Sequence, residues 1–160
     1  CKDKSVMKAV IQRVLRASVS VGGETVGSCG EGFMVLFGAA DGDTEADAEL
    51  LARKTVNLRV FCDENGKMNL SLKDINGGVL CVSQFTLLAD VKKGNRPSFT
   101  GAMEPQKACR LYDYFCEKLA EYGAADVQKG IFGADMEVSL VNNGPVTVLL
   151  DTKIWRNNGN

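Results

Sequence analysis

Gly32-Phe33-Met34-Val35-Leu36-Phe37-Gly38-Ala39-Ala40 is apolar from end to end, the signature of a β-strand covered on both faces. A strand of this kind sits centrally in its sheet, so the flanking segments must supply its cover. Upstream, Ala9, Ile11, Val14, Leu15, Ala17, Val19 and Val21 alternate loosely, and Gly22-Gly23 offers the positive φ angles of a tight turn. Residues 7–21 and 25–29 therefore read as an opening hairpin. Downstream, Thr44 and Asp47 make a capping-box start, and Ala48, Leu50, Leu51, Thr55 and Leu58 form an apolar stripe, predicting a helix over 44–57.

Farther along, residues 60–62 and 67–70 read as short strands about the turn Asp63-Glu64-Asn65-Gly66, and residues 79–87 as a longer strand of good β formers. Residues 89–98 have the composition of an exposed loop. Pro105 opens a second helix through Tyr122, with Ala108, Leu111, Tyr112, Phe115 and Leu119 inward and Gly123 as its stop. Strands follow near Val127, over 136–141 and over 146–150. This order predicts an α/β domain with two helices packed on mixed sheets, not a regular alternating array. No Gly-rich phosphate loop follows a strand, which argues against nucleotide binding by those modes.

The 160 residues suffice for one domain, and the net charge of −1 leaves no global field, so any contact with nucleic acid must be local. The chain has no histidine, which removes the commonest general base. Six cysteines without a CxxC pair read as reduced, cytosolic and mostly buried. No run approaches a membrane span and the first residues do not form a leader, so the expectation is a soluble, unexported, cytoplasmic protein with no membrane partner. Residues 1–6 read as an extension or artificial remnant, 7–155 as the domain and 156–160 as a tail. The Asp63 turn resembles half a calcium loop only superficially, and neither a metal nor a cofactor is expected.

Two segments carry the candidate chemistry. Ser83, Gln84, Phe85 and Thr86 close a buried strand, where α/β proteins place ligand groups. Strand alternation sets Ser83 and Phe85 on one face and Gln84 and Thr86 on the other; the plainer reading is a strand turning polar as it leaves the core. Asn142-Asn143-Gly144-Pro145-Val146-Thr147 lies between two strand-like runs. Its residues are ordinary turn formers. The alternative is a cis Gly144-Pro145 bond with its two carbonyls held to face a small ligand, and the residues do not assign the isomer.

Met7-Lys8-Ala9-Val10-Ile11-Gln12-Arg13-Val14, Ser83-Gln84-Phe85-Thr86-Leu87, Lys93-Gly94-Asn95-Arg96-Pro97-Ser98-Phe99 and Asn142-x-Gly144-Pro145-Val146-Thr147 together resemble the D-aminoacyl-tRNA deacylase family, in order from Met7 to about Trp155. The resemblance implies a single three-layer α/β domain in which mixed and antiparallel sheets form a barrel-like core with two main helices on one side. It implies a homodimer that hydrolyses the ester between a D-amino acid, or glycine, and the terminal adenosine of tRNA. Gly144 and Pro145 would then form a cis chiral filter reaching into the partner's site. Ser83, Gln84, Phe85 and Thr86 would line the catalytic pocket, with backbone N–H groups around Phe85 and Thr86 as oxyanion donors and the tRNA 2′-hydroxyl assisting. Asn142, Val146, Thr147, Met136 and Arg13 would contact or brace the substrate, Arg13 from within its own subunit. Lys92, Lys93 and Arg96 would meet tRNA phosphates. Plainer readings stand beside these: a surface ion pair for Arg13, a solvated loop for the cations and a core filler for Met136. Two competing functions are a non-catalytic binding module for a nucleic-acid 3′ end or single strand, and a hydrolase of small esters using Thr86 or a cysteine.

Overall fold

The computed structural model describes residues 6–156; the readings made for the chain ends fall largely outside these residues. The opening hairpin is β1 (Lys8–Val21) and β2 (Glu24–Cys29), antiparallel about Gly22-Gly23, both with positive φ. β3 (Gly32–Gly38) follows, and β1 pairs β3 through residues 8–14 and β2 through residues 17–21. The other long edge of β1 is taken by β8 (Glu137–Asp151), antiparallel along nearly its whole length. β6 (Gly78–Ser83) lies parallel to β3, and β7 (Asp126–Lys129) parallel to β6. A separate two-stranded piece pairs β4 (Phe61–Cys62) with β5 (Met68–Leu70).

The mixed six-stranded sheet curls until its ends, β2 and β7, meet, so it is nearly a closed barrel. Gly27 makes the closure possible: a Cβ there would lie 2.6 Å from the Lys129 carbonyl oxygen, far inside a normal contact. The central apolar run is covered on both faces by period-two alternation. Phe33, Val35 and Phe37 of β3 and Val79 and Cys81 of β6 face a core shared with the helices, whereas Met34, Leu80 and Val82 join Val14, Ala17 and Val19 in a second core.

α1 (Glu45–Asn57) starts at the Thr44 capping box, and α2 (Pro105–Glu121) at Glu104, whose carboxylate accepts the Gln106 and Lys107 N–H groups. They pack on each other and on the sheet, with the Phe37 and Phe115 rings stacked at 4.7 Å. Leu111, Tyr112, Phe115 and Leu119 are buried and Ala108 half-buried. A short α3 (Lys153–Arg156) completes the mixed α/β fold.

Tyr112 ties helix to sheet by donating its hydroxyl to the Cys81 carbonyl at 2.5 Å. Burial, with the neighbouring Cys81 and Cys116 thiols, pushes its ionisation far above the ordinary tyrosine value. The native state keeps this proton while an unfolded tyrosine releases it near pH ~10, so stability is unaffected below that pH and falls as pH rises beyond it. Tyr112→Phe should lower the unfolding free energy by about 1–3 kcal/mol at neutral pH and flatten the alkaline fall. Urea titrations from neutral to strongly alkaline pH check both effects.

Two expectations of secondary structure are overturned. Residues 136–150 are not two strands about a turn: β8 runs straight through Asn-Gly-Pro. Strand 79–87 stops at Ser83, and Phe85–Leu88 form a 3-10 turn, so alternation does not govern residues 83–86. Among the described cysteines only Cys81 and Cys116 are buried; Cys62 is exposed.

Candidate active site

The 3-10 turn begins where β3 and β6 end together. The Gln84 N–H donates to the Phe37 carbonyl at 2.7 Å, pulling the chain off the sheet, and the Leu87 N–H then closes on the Gln84 carbonyl. Gly38 leaves room for this. A Cβ there would stand 2.9 Å from the Gln84 carbonyl oxygen and 2.7 Å from a Leu88 methyl. The N–H groups of Phe85 and Thr86 open the turn, where a helical start leaves donors without intrahelical acceptors.

A cleft of about 650 Å³ opens beside this turn. Ser83, Gln84 and Phe85 line one side, Phe99 and residues 102–105 with Ala108 another, and residues 132–136 with Val138 a third. Phe85 is exposed and meets Phe99 edge-on at 5.0 Å, giving the mouth an aromatic corner. The Gln84 amide donates to the Thr86 hydroxyl. Neither this amide nor any imidazole can take a proton from Thr86, so the hydroxyl has no activating base of the usual kind. Cys81, two residues before Ser83, is fully buried and its thiol is pushed well above the ordinary value, chiefly by burial, which opposes thiolate chemistry.

Met136 lines the cleft and packs against the second core with Val138 and Leu140, so pocket wall and core filler describe the same side chain. Phe99 and Gly38 were not singled out as site residues. Their signals were an aromatic residue ending a polar loop and a glycine interrupting an apolar run.

The Gly144-Pro145 bond is cis and lies in a bulge of β8. Gln12 pairs Thr147 and Val14 pairs Asn142, so residues 143–146 stand opposite Arg13 alone. Proline, with no N–H for a ladder, is tolerated at such a bulge. Arg13, 8% exposed, fills the gap: Nε donates to the Asn143 carbonyl at 2.9 Å and Nη1 to the Val60 carbonyl at 2.6 Å. Its recorded partners are thus carbonyls on both sides. Gly144 has φ +122°, and a Cβ there would stand 2.7 Å from Arg13 Nη2. Thr147 donates its hydroxyl to the Gln12 side chain across the strands at 3.2 Å. Asn142, Gly144, Pro145 and Thr147 are exposed and Val146 half-buried. None of residues 142–147 borders the cleft.

Lys92, Lys93 and Arg96 are exposed in the loop that leads into Phe99. Among the described residues no cluster of three or more His, Cys, Asp or Glu side chains has metal-binding geometry, and no helix is long and apolar enough to cross a membrane.

A family model described as D-Tyr-tRNA(Tyr) deacylase matches residues 10–151. A solved structure described as "c-Myc DNA Unwinding Element Binding Protein" is 47% identical, with a TM-score of 0.85 over 89% of this chain and 97% of that one. Another, described as a "probable eukaryotic D-amino acid tRNA deacylase", is 19% identical with a TM-score of 0.78 over 91% of this chain and 99% of that one, a likeness of fold. The family match runs from the first strand to the end of the last, across the cleft and the bulge alike: the chain belongs to the D-Tyr-tRNA(Tyr) deacylase family, a family of hydrolases.

Proposed function

We propose that the protein is a cytoplasmic homodimer that releases D-amino acids, and glycine, from the terminal adenosine of tRNA. The carrying observation is a separation. The cleft belongs to residues 83–86 and their surroundings, whereas Gly144 and Pro145 stand exposed on β8 and do not border it. A second copy, placing its Gly144-Pro145 carbonyls at this cleft, supplies the missing wall. An L-side chain then meets those carbonyls and is refused, while a D-side chain points away and glycine has nothing to refuse.

The chemistry needs no protein base. The Phe85 and Thr86 N–H groups would stabilise the developing oxyanion, which preorganised dipoles do most effectively. The 2′-hydroxyl of the terminal ribose, already beside the ester, would assist the attacking water without being brought in from solution. Thr86→Ala should therefore lower kcat by less than about tenfold, since the hydroxyl would act only in positioning. A D-tyrosyl ester on 2′-deoxy-terminated tRNA should lose more than that. Single-turnover rates for the two cases decide between the roles, and a larger loss from Thr86→Ala would restore the nucleophile. Asn142, Val146 and Thr147 would hold the filter's shape, Met136 would border the aminoacyl group, and Lys92, Lys93 and Arg96 would meet phosphates.

The test is release of labelled amino acid from D-Tyr-tRNA, L-Tyr-tRNA and Gly-tRNA. Rapid release from the first and third with the second spared supports the proposal, and no release from any overturns it. The 47% identical neighbour's description as a DNA-element-binding protein favours one second reading, nucleic-acid binding in its own right. Tight binding of single strands without turnover would select it.

A further inference from the structure

Phe85 opens the 3-10 turn, and its ring is 58% exposed and joins neither hydrophobic core. Such a turn has poorer hydrogen-bond geometry than an α-helix, and an exposed side chain changes rotamer freely, so a neighbour must hold this residue still. The turn is fixed at its ends: the Phe37 carbonyl accepts the Gln84 N–H, and Leu88 is buried. Between these points, the ring recorded against Phe85 among the described residues is Phe99, edge-on at 5.0 Å and 71°. Phe99 is half-buried and firmly carried. Just before it, Asp90 and Ser98 exchange both backbone hydrogen bonds, at 2.8 and 2.9 Å, and close the loop. Just after it, the Ala102 N–H returns to the Phe99 carbonyl, the Asp41 N–H donates to the Gly101 carbonyl and the Met103 N–H to the Ala39 carbonyl. The last two ties run to the continuation of β3, whose end also captures Gln84. Both rings therefore hang from the same strand end, on different sides of the cleft.

We propose that Phe99 is a positioning residue for the hydrolysis: by holding the Phe85 ring it keeps the turn in the orientation that aims the Phe85 and Thr86 N–H groups at the developing oxyanion. This rests on the reading of those groups as the oxyanion donors. Preorganised dipoles act only while they stay aimed, and a small misplacement of such groups is costly in rate. A phenyl ring offers neither a proton nor a charge, so Phe99 acts through its neighbour. An edge-to-face aromatic pair favours the held arrangement by about two- to tenfold, which sets the size of the effect. Because aim matters to the charge that develops in the transition state, the contact raises kcat and leaves KM nearly unchanged.

The experiment is a double-mutant cycle on Phe85→Leu, Phe99→Leu and the pair, read as kcat and KM for release of D-tyrosine from D-Tyr-tRNA, with urea titrations to establish that each assayed variant is folded. Either single change should lower kcat by about two- to tenfold, and the pair should lose no more than the slower single variant. Phe99→Tyr, which keeps the ring edge, should keep the wild-type kcat. Phe99→Met supplies the ringless corner of the cycle if the leucine variant does not fold. Losses that multiply in the pair overturn the proposal, as does a wild-type kcat in Phe99→Leu or a Phe99→Tyr variant as slow as Phe99→Leu. A raised KM at unchanged kcat overturns it as well, and makes Phe99 a stacking platform for the substrate's base. Wild type that releases nothing from D-Tyr-tRNA overturns the underlying reading of the cleft instead, and that failure is seen before any variant is compared.

Discussion

Gly144→Ala should lower kcat/KM for a D-aminoacyl-tRNA by on the order of 10²-fold or more while leaving tRNA affinity nearly unchanged. The added Cβ would stand 2.7 Å from Arg13 Nη2, at a backbone φ of +122°. Carbon–nitrogen contacts settle near 3.5 Å, so either the guanidinium or the bulge must yield by about an ångström. Neither yields freely, because Arg13 is anchored on the far side to the Val60 carbonyl at 2.6 Å. A displacement of that size in a group that positions substrate costs roughly 10²-fold in rate. The bulge is exposed, so the fold should survive with a loss of about 1–2 kcal/mol from the unfavourable backbone angle. Single-turnover rates on D- and L-esters beside a urea titration separate the effects. Wild-type rates and selectivity in this variant would show that the shape of the bulge is irrelevant.

Arg13→Leu should have the largest effect on stability, about 3 kcal/mol, together with a comparable loss of rate. Its guanidinium serves two carbonyls, Asn143 and Val60, from a buried position. Removing the donor leaves each half-buried acceptor unpaired at about 1–3 kcal/mol. Arg13→Lys should recover part of the stability, since one ammonium can reach one carbonyl, but little of the rate, because it lacks the rigid fork that spans both. Comparing denaturation midpoints with kcat across the two variants tests this split. A lysine variant that restores rate and stability together would reduce Arg13 to an ordinary buried cation.

The local signals in the sequence were easily read because they are physically local. The Thr44 and Asp47 capping box, Gly22-Gly23 at the hairpin, and Pro105 and Gly123 bounding the second helix each act within a few residues of themselves. The two misread segments depend on partners far along the chain. Asn-Asn-Gly-Pro has the composition of a turn, yet β1 resumes pairing beyond it at Gln12 and Thr147, a contact across 135 positions. A trace of this was present in β1: buried apolar residues step from Ala9 and Ile11 to Val14, a phase slip at Arg13. Residues 79–87 read as one strand by β propensity, but the Phe37 carbonyl captures the Gln84 N–H and Gly38 makes space for the turn. The cleft's third wall, residues 132–136, likewise becomes a wall only once β8 is laid against β1.

If the bulge of one subunit completes the cleft of the other, mixed dimers reveal it most directly. Gly38→Ala should be inactive because its Cβ displaces the turn that carries Phe85 and Thr86, whereas its bulge is intact. Gly144→Ala has the converse defect. Co-expressed with different tags, the two should regain about a quarter of wild-type D-ester release, since roughly half of the dimers are mixed and each mixed dimer pairs one sound cleft with one sound bulge. Activity no higher than that of the two variants alone would contradict the account and place bulge and cleft within the same subunit.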